Sequence, residues 1–292
     1  MMNPTTALLT TLALSMPAMA TQGIPLLGDG IVGIAVAPVP EAVIDGLSDY
    51  RTIRLVVTLP AGYRLDAVAG NIDQNLLIEP VNGSFYQNEF GGATSLDCNE
   101  GFFNFAPALQ WDSFITIGAL TNNGTPYAAN NLQNVGVNFT NFEAGDGVSA
   151  DNGTWFILAE EGDQGTPSAF TDVCGRAREG VTIAQLTLLD DPGLTATVRC
   201  SFLLQGQDEL GESWQVEIDT FETTTSDRSP ADVFEGCAGD YDADDTINVD
   251  DLLYMLSNWT TEPCLDLNAD EVIDVLDVAI LISGWGACTP AE

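Results

Sequence analysis

Tyr50-Arg51-Thr52-Ile53-Arg54-Leu55-Val56-Val57-Thr58-Leu59, closed by Pro60-Ala61-Gly62, decides how most of this chain is read. The stretch opens with alternation, is dense in β-branched residues and stops at a Pro/Gly turn signal, the pattern of a strand and not of a helix. Runs of the same character follow at Phe114 to Leu120, Val135 to Thr140, Thr154 to Ala159, Val181 to Leu189, Thr195 to Leu204 and Trp214 to Ile218. They are rich in Val, Ile, Thr and aromatic residues and are separated by Asn-Gly, Asp-Gly and Pro-Gly clusters. Many short strands, polar turns and no long helical pattern predict a mainly β body, a β-sandwich or jelly roll.

Outward from this body the composition sets limits. The chain has 292 residues, with 45% hydrophobic and 17% charged, enough for one sizeable core and a small appended module. It carries 43 acidic residues against 7 basic ones, a formal net charge of −36, and every basic residue is arginine. Without histidine there is no Ser-His-Asp site and no imidazole base; without lysine there is no P-loop lysine and no Schiff base. So negative a surface repels nucleic-acid backbones and anionic lipid, and suits divalent cations and saline solvent.

The first 20 residues read as an export signal: an apolar stretch from Ala7 to Leu14, then Ala18-Met19-Ala20 as a small-x-small cleavage site. That stretch is too short to span a bilayer, and no other segment is long and apolar enough. The expected product is a secreted or cell-surface protein starting near Thr21. Six cysteines fit an oxidising compartment: Cys98, Cys174 and Cys200 in the body, Cys237, Cys264 and Cys288 in the tail. With an odd number in each half, either one bridge crosses between the halves or each half keeps a free thiol. The body is expected over residues 21–222. A Thr/Ser-rich linker, Thr223-Thr224-Thr225-Ser226-Asp227-Arg228-Ser229-Pro230 onward, occupies 223–236, and a separate module 237–292.

The module contains an internal repeat, the second copy 26 residues after the first. Asp240-Tyr241-Asp242-Ala243-Asp244-Asp245-Thr246-Ile247-Asn248-Val249-Asp250-Asp251 is followed by Asp266-Leu267-Asn268-Ala269-Asp270-Glu271-Val272-Ile273-Asp274-Val275-Leu276-Asp277. Side-chain oxygens fall at loop positions 1, 3, 5, 9 and 12, the EF-hand spacing that wraps a short loop around one hard cation. The expected ligands are Asp240, Asp242, Asp244, the Thr246 carbonyl, Asn248 and Asp251 in the first loop. In the second they are Asp266, Asn268, Asp270, the Val272 carbonyl, Asp274 and Asp277. Two Ca2+ ions are thus expected, with Ile247 and Ile273 pairing between the loops. Position 6, usually glycine at the sharp turn, is Asp245 and Glu271, so the second loop is expected to bind the more weakly. Leu252, Met255, Leu256 and Trp259 recur as Val278, Leu281, Ile282 and Trp285, the i, i+3, i+4, i+7 face of a helix after each loop.

This arrangement resembles the type I dockerin family, which has Asp at position 12 where ordinary EF-hands have Glu. The resemblance covers about 50 residues and implies a small α-helical Ca2+ module that attaches its protein to a cohesin-like or cell-surface partner. In that family the residues just before position 12 and basic residues later in the helix contact cohesin. Here those loop positions are Val249-Asp250 and Val275-Leu276, and the helices carry no Arg or Lys. Calcium binding therefore carries over better than recognition of a classical cohesin. The endings Ser257-Asn258-Trp259 and Ser283-Gly284-Trp285-Gly286-Ala287-Cys288 are similar to dockerin-like tails of planctomycete secreted proteins. Cys237 and Cys288 bracket the module as a disulfide clasp, with Cys264 equally a partner of either.

The body is similar to an uncharacterised β-rich domain of secreted marine bacterial proteins, on Trp111 to Gly118, Asn152 to Phe156 and Ile183 to Thr187, motifs that imply no activity. A dockerin-like tail invites a polysaccharide-degrading glycoside hydrolase, which needs two carboxylates facing one another. Glu160-Glu161 and Asp190-Asp191 are neighbours in sequence, so they point apart on a strand or into solvent at a turn. Asp112 beside Trp111 is expected as an exposed carboxylate next to a core tryptophan. Trp111, Trp155, Trp214, Phe102, Phe103 and Phe105 are candidates for a carbohydrate platform, most of them expected in the core. The leading expectation is a secreted, non-catalytic protein attached through its tail. The alternatives are a glycoside hydrolase or polysaccharide-binding accessory, and a calcium-dependent surface or matrix component.

Overall fold

Strand-forming stretches dominate the computed structural model, which describes residues 32–39, 47, 49–158, 163–172, 177–189, 197–224, 239–241, 246–257, 259, 263–267 and 273–287. The export signal, most of the linker, Glu160-Glu161, Asp190-Asp191, Cys174, Cys237 and Cys288 lie outside the described residues. The strands are β1 (Gly33–Val39), β2 (Tyr50–Thr58), β3 (Arg64–Gly70), β4 (Leu76–Pro80), β5 (Phe114–Ile115), β6 (Leu132–Val135) and β7 (Val148–Ala150). They continue as β8 (Gly153–Ile157), β9 (Ser168–Thr171), β10 (Ala177–Leu189), β11 (Thr197–Gln207), β12 (Ser213–Thr224), β13 (Thr246–Ile247) and β14 (Gly286–Ala287). The body is mainly β, as its composition predicted.

Two antiparallel sheets carry that body. One runs β1-β2-β10-β5, with β9 also on β10; the other runs β6-β8-β3-β11-β4-β7, with β12 on the far edge of β11. β3 and β4 lie end to end along one edge of β11, β3 against Leu203–Gln207 and β4 against Val198–Ser201. Ile53, Leu55 and Val57 of the first sheet and Val198, Cys200, Phe202 and Leu204 of the second join one buried cluster. Both sets have the period of two that puts alternate side chains on one face. On β10 the parity switches: Val181 and Ile183 enter the core, then Ala184, Leu186 and Leu188. The pairing with β2 has a register shift between Thr182 and Ala184, and such a bulge moves later residues to the opposite parity.

Two strand expectations and one linker boundary need correction. Phe114 to Leu120 is strand only at Phe114–Ile115, although Asp112 through Ala119 are all buried. The run recorded burial; its regular pairing with β10 stops after Ile115, and the chain turns at Gly118, whose φ of +76° suits glycine. Val135 to Thr140 is not a strand either: β6 ends at Val135, Gly136 takes a positive φ, and a short helix starts at Thr140. Thr223 and Thr224, expected in the linker, are the last residues of β12, since Val198↔Thr223 and Thr197↔Thr224 continue its ladder with β11.

Between β4 and β6 the chain runs through 3-10 helices at Glu100–Phe102 and Pro107–Trp111 and the two residues of β5. This long segment lies along the edge of β10. Tyr86 N–H donates to the Thr187 carbonyl (2.8 Å), Thr116 N–H to Ile183 (2.8 Å) and Gly118 N–H to Thr182 (2.7 Å). It covers an edge that would otherwise present unpaired backbone groups. Irregular segments of such length, held on a rigid sheet, are where sites are usually built.

In the tail, helices occupy Val249–Ser257 and Val275–Ser283. Tyr241, Ile247, Met255, Leu265 and Leu281 form a small buried cluster, with Leu252, Trp259, Ile273 and Val278 packed against it. Leu256, Ile282 and Trp285, expected on the buried face, are exposed by 53%, 50% and 48%. Nine-residue helices around so small a core bury only the middle of the apolar stripe. Ile247 and Ile273 meet in the same cluster, but the ladder partner of Ile247 is Gly286 of β14.

Candidate functional site

The described ends of the two acidic loops carry the same hydrogen bonds. Asp251, fully buried, accepts the Tyr241 N–H at 2.6 Å on one oxygen and the Asn248 N–H at 2.8 Å on the other. Asp277, also fully buried, accepts the Leu267 N–H at 2.7 Å and the Asp274 N–H at 2.7 Å. Each last loop residue thus ties the start of its loop to the start of its helix. The position 9 side chains face the helix: Asn248 Oδ1 accepts the Asp250 N–H (2.8 Å) and Asp274 Oδ1 the Leu276 N–H (2.7 Å). Asp274 and Asp277 form a reciprocal capping box, and Asp251 takes the Asn248 N–H at the first helix as Asp277 takes that of Asp274 at the second. The Asn248 side-chain amide also donates to the Thr246 carbonyl at 3.2 Å. The cap signal was present in sequence as Asn-x-x-Asp and Asp-x-x-Asp, overlaid on the ligand spacing.

Asp240 and Asp266, the first residues of the loops, are buried as well. Four carboxylates are therefore taken from water in a segment, residues 237–292, that has no Lys, Arg or His. Buried carboxylates need compensating charge or donors, and a divalent cation supplies the charge. The residues present fit Ca2+ in that respect. Among the described residues no three or more His, Cys, Asp or Glu side chains converge on one point. Asp242, Asp244, Asn268, Asp270 and Val272 lie outside the described residues. Cys264 is disulfide-bonded to a partner outside them, while Cys98 and Cys200 are buried free thiols. A bridge from the tail to either of those two is thereby excluded.

The long body segment holds a second feature, centred on Asp112. The expected exposed aspartate beside a core tryptophan is inverted: Asp112 is 1% exposed and Trp111 half-buried. The 3-10 helix Pro107–Trp111 ends at this residue, and Gln185 Nε2 on β10 holds the turn by donating to the Gln110 and Asp112 carbonyls, both at 3.0 Å. The Asp112 carboxylate accepts the N–H groups of Asn88 (2.7 Å) and Gly92 (3.2 Å), while the Ser113 N–H donates to the Tyr86 carbonyl at 3.2 Å. Burial pushes its pKa up to about 7 against the pull of those donors. Gly91 passes so close that an added Cβ would collide with Asp112 Oδ2.

Asp112 thereby joins two lips of a cleft of about 580 Å³, lined by Tyr86 and Asn88 to Phe90 on one side and Phe105 to Ala108 on the other. Phe90 and Phe105 are 40% and 75% exposed, their ring centroids 5.5 Å apart at 77°. Of the six aromatics picked from sequence, Trp155 is fully buried, Trp214 packs against the core, and Phe102 and Phe105 are exposed. Tyr86, Asn88, Glu89 and Phe90 were not picked; the signal was an aromatic in the turn-rich Asn88-Glu89-Phe90-Gly91-Gly92, where no strand or helix can bury it.

Comparison with protein-family models, with curated proteins and with solved structures found no match to this chain. Among the described residues no helix is long and apolar enough to cross a membrane.

Proposed function

We propose that this is an exported, non-catalytic protein whose β-sandwich body is attached or assembled through a C-terminal, Ca2+-loaded dockerin-like module. The observation that carries the reading is the duplicated set of buried carboxylates, Asp240 with Asp251 and Asp266 with Asp277, in a segment without one basic residue. Two loops with the same internal hydrogen bonds, each feeding a short helix, match the repeat unit such a module requires. Asp240, Asp242, Asp244, the Thr246 carbonyl, Asn248 and Asp251 would hold one ion, with the corresponding residues from Asp266 to Asp277 holding the second. Bound Ca2+ supplies the positive charge that lets these loops bury their carboxylates. The role of position 9 in capping leaves it to act at the ion through water.

Attachment on this reading uses the outer faces of the two tail helices. Val249, Leu253 and Leu256 on one and Val275, Leu276, Ile280 and Ile282 on the other are exposed apolar residues. An apolar partner surface fits them; the basic contacts of a classical cohesin interface have no counterpart here. The two sheets around one core support the sandwich reading of the body.

The test is calorimetric titration of the chelator-treated full chain with Ca2+. Two ions should bind, and a separate thermal transition assigned to the tail should rise with Ca2+ concentration. The double variant Asp240→Ala, Asp266→Ala should lose both effects while the body unfolds as before. A thermogram indifferent to Ca2+ would remove the module and the attachment function together.

A further inference from the structure

We propose that the cleft whose corner is formed by the edge-to-face pair Phe90 and Phe105 is a binding site for a small organic cation of the methylated-ammonium class. The site belongs to the body and does not depend on the reading of the tail. Its walls are aromatic: Phe90 and Phe105 stand at 77° with centroids 5.5 Å apart, and Tyr86 lines the same cleft. Two exposed rings at that angle form a corner. A pyranose stacks its C–H face on a flat ring or a coplanar strip, whereas a tetrahedral ammonium with methyl groups touches several faces at once. The negative ring faces then attract the charge directly.

Charge selects the same ligand. Glu89 lies in the lining, none of the lining residues is basic, and the chain carries a net charge of −36 that draws cations and repels anions. The Tyr86 hydroxyl accepts a hydrogen bond from the Asn88 side-chain amide at 2.9 Å, which fixes that ring as a wall. Asn88 Oδ1 accepts the Phe90 N–H at 3.0 Å, and Asp112 holds the N–H groups of Asn88 and Gly92 on either side of Glu89 and Phe90. The lip is thus pre-organised, so little ordering is left for the ligand to cost. A volume of about 580 Å³ admits a small molecule with its hydration partly stripped.

The experiment titrates the full chain, held in Ca2+, with choline and with its neutral isostere 3,3-dimethylbutan-1-ol, following heat or ligand NMR linewidth. Choline should bind saturably and the isostere at least about tenfold more weakly, since only the charge differs. Phe105→Ala, at an exposed ring whose loss leaves the core intact, should weaken choline about tenfold. Glu89→Gln should weaken it several-fold and flatten its salt dependence. Equal binding of the isostere, choline binding untouched by Phe105→Ala, or no saturable choline binding would each overturn the proposal. So would a neutral oligosaccharide that binds this cleft in place of choline.

Discussion

At position 112 a carboxylate sits in the interior, surrounded by backbone donors and by the edge of a sheet. Its ordinary pKa of 3.8 is raised to about 7 because burial penalises the charge more than the N–H groups of Asn88 and Gly92 favour it. The folded value exceeds the unfolded one, so the native state holds the proton more tightly. The resulting stabilisation is complete below about pH 3.8 and is lost as the pH rises through about 7. Its ceiling is roughly 4 kcal/mol, the cost of that shift. Thermal unfolding of the wild type and Asp112→Asn at pH 5 and pH 8, both in Ca2+, isolates this share from the other carboxylates. The melting temperature of the variant should fall less between those pH values; identical slopes would show that Asp112 is ionised throughout. Asp112→Ala instead strands the Asn88 and Gly92 N–H groups, at about 1–3 kcal/mol for each buried N–H left unpaired.

At the scale of elements, the tail helices show how much a local pattern can say. Their starts were legible, because Asn248 and Asp274 are cap residues followed by aspartate three positions on. Their period was legible too, yet Leu256 and Ile282 point outward while Met255 and Leu281 are fully buried. A stripe of period 3.6 marks a direction, and how wide a band is buried depends on what packs against it. Met255→Ala and Leu281→Ala should each destabilise the tail transition by about 2–5 kcal/mol in Ca2+. Leu256→Ser with Ile282→Ser should shift it by less than about 1 kcal/mol, since both positions already face water. If the second pair proves the costlier, the packing faces are reversed. In the body, the bulge at Thr182/Ala184 has the same lesson. Ile183 and Ala184 are consecutive and both enter the core, which simple alternation forbids.

Across the whole molecule, the negative charge and the two sheets act together. Arg199 bridges Glu79 and Glu222 from three neighbouring strands, and Arg178 pairs with Asp172, so the few cations tie strands together. Cys98 and Cys200 are buried free thiols. Burial pushes Cys98 up to about 12 and Cys200 higher still, which leaves almost no thiolate at pH 8. A maleimide or disulfide reagent should therefore leave both unlabelled in the native protein and modify both after unfolding in denaturant, as peptide mass mapping would show. Rapid native labelling of Cys98 would mean that the 86–112 segment opens readily.

By itself the sequence determined the β character of the body, the duplicated acidic loops and the apolar helical stripe after each of them. Those signals are local: β-branched density, the fixed spacing of acidic residues and an i, i+3, i+4, i+7 apolar stripe are all read within a dozen residues. The tertiary structure decided which of Trp111 and Asp112 is buried, which half of each apolar helix stripe faces water, and that Phe90 packs edge-to-face on Phe105 at the corner of a cleft. Each of those depends on groups far apart in the chain. Asp112 is buried because β10 holds its turn and the Asn88–Gly92 loop closes over it. No periodicity in the sequence encodes that closure, because burial is settled by what the rest of the fold brings alongside.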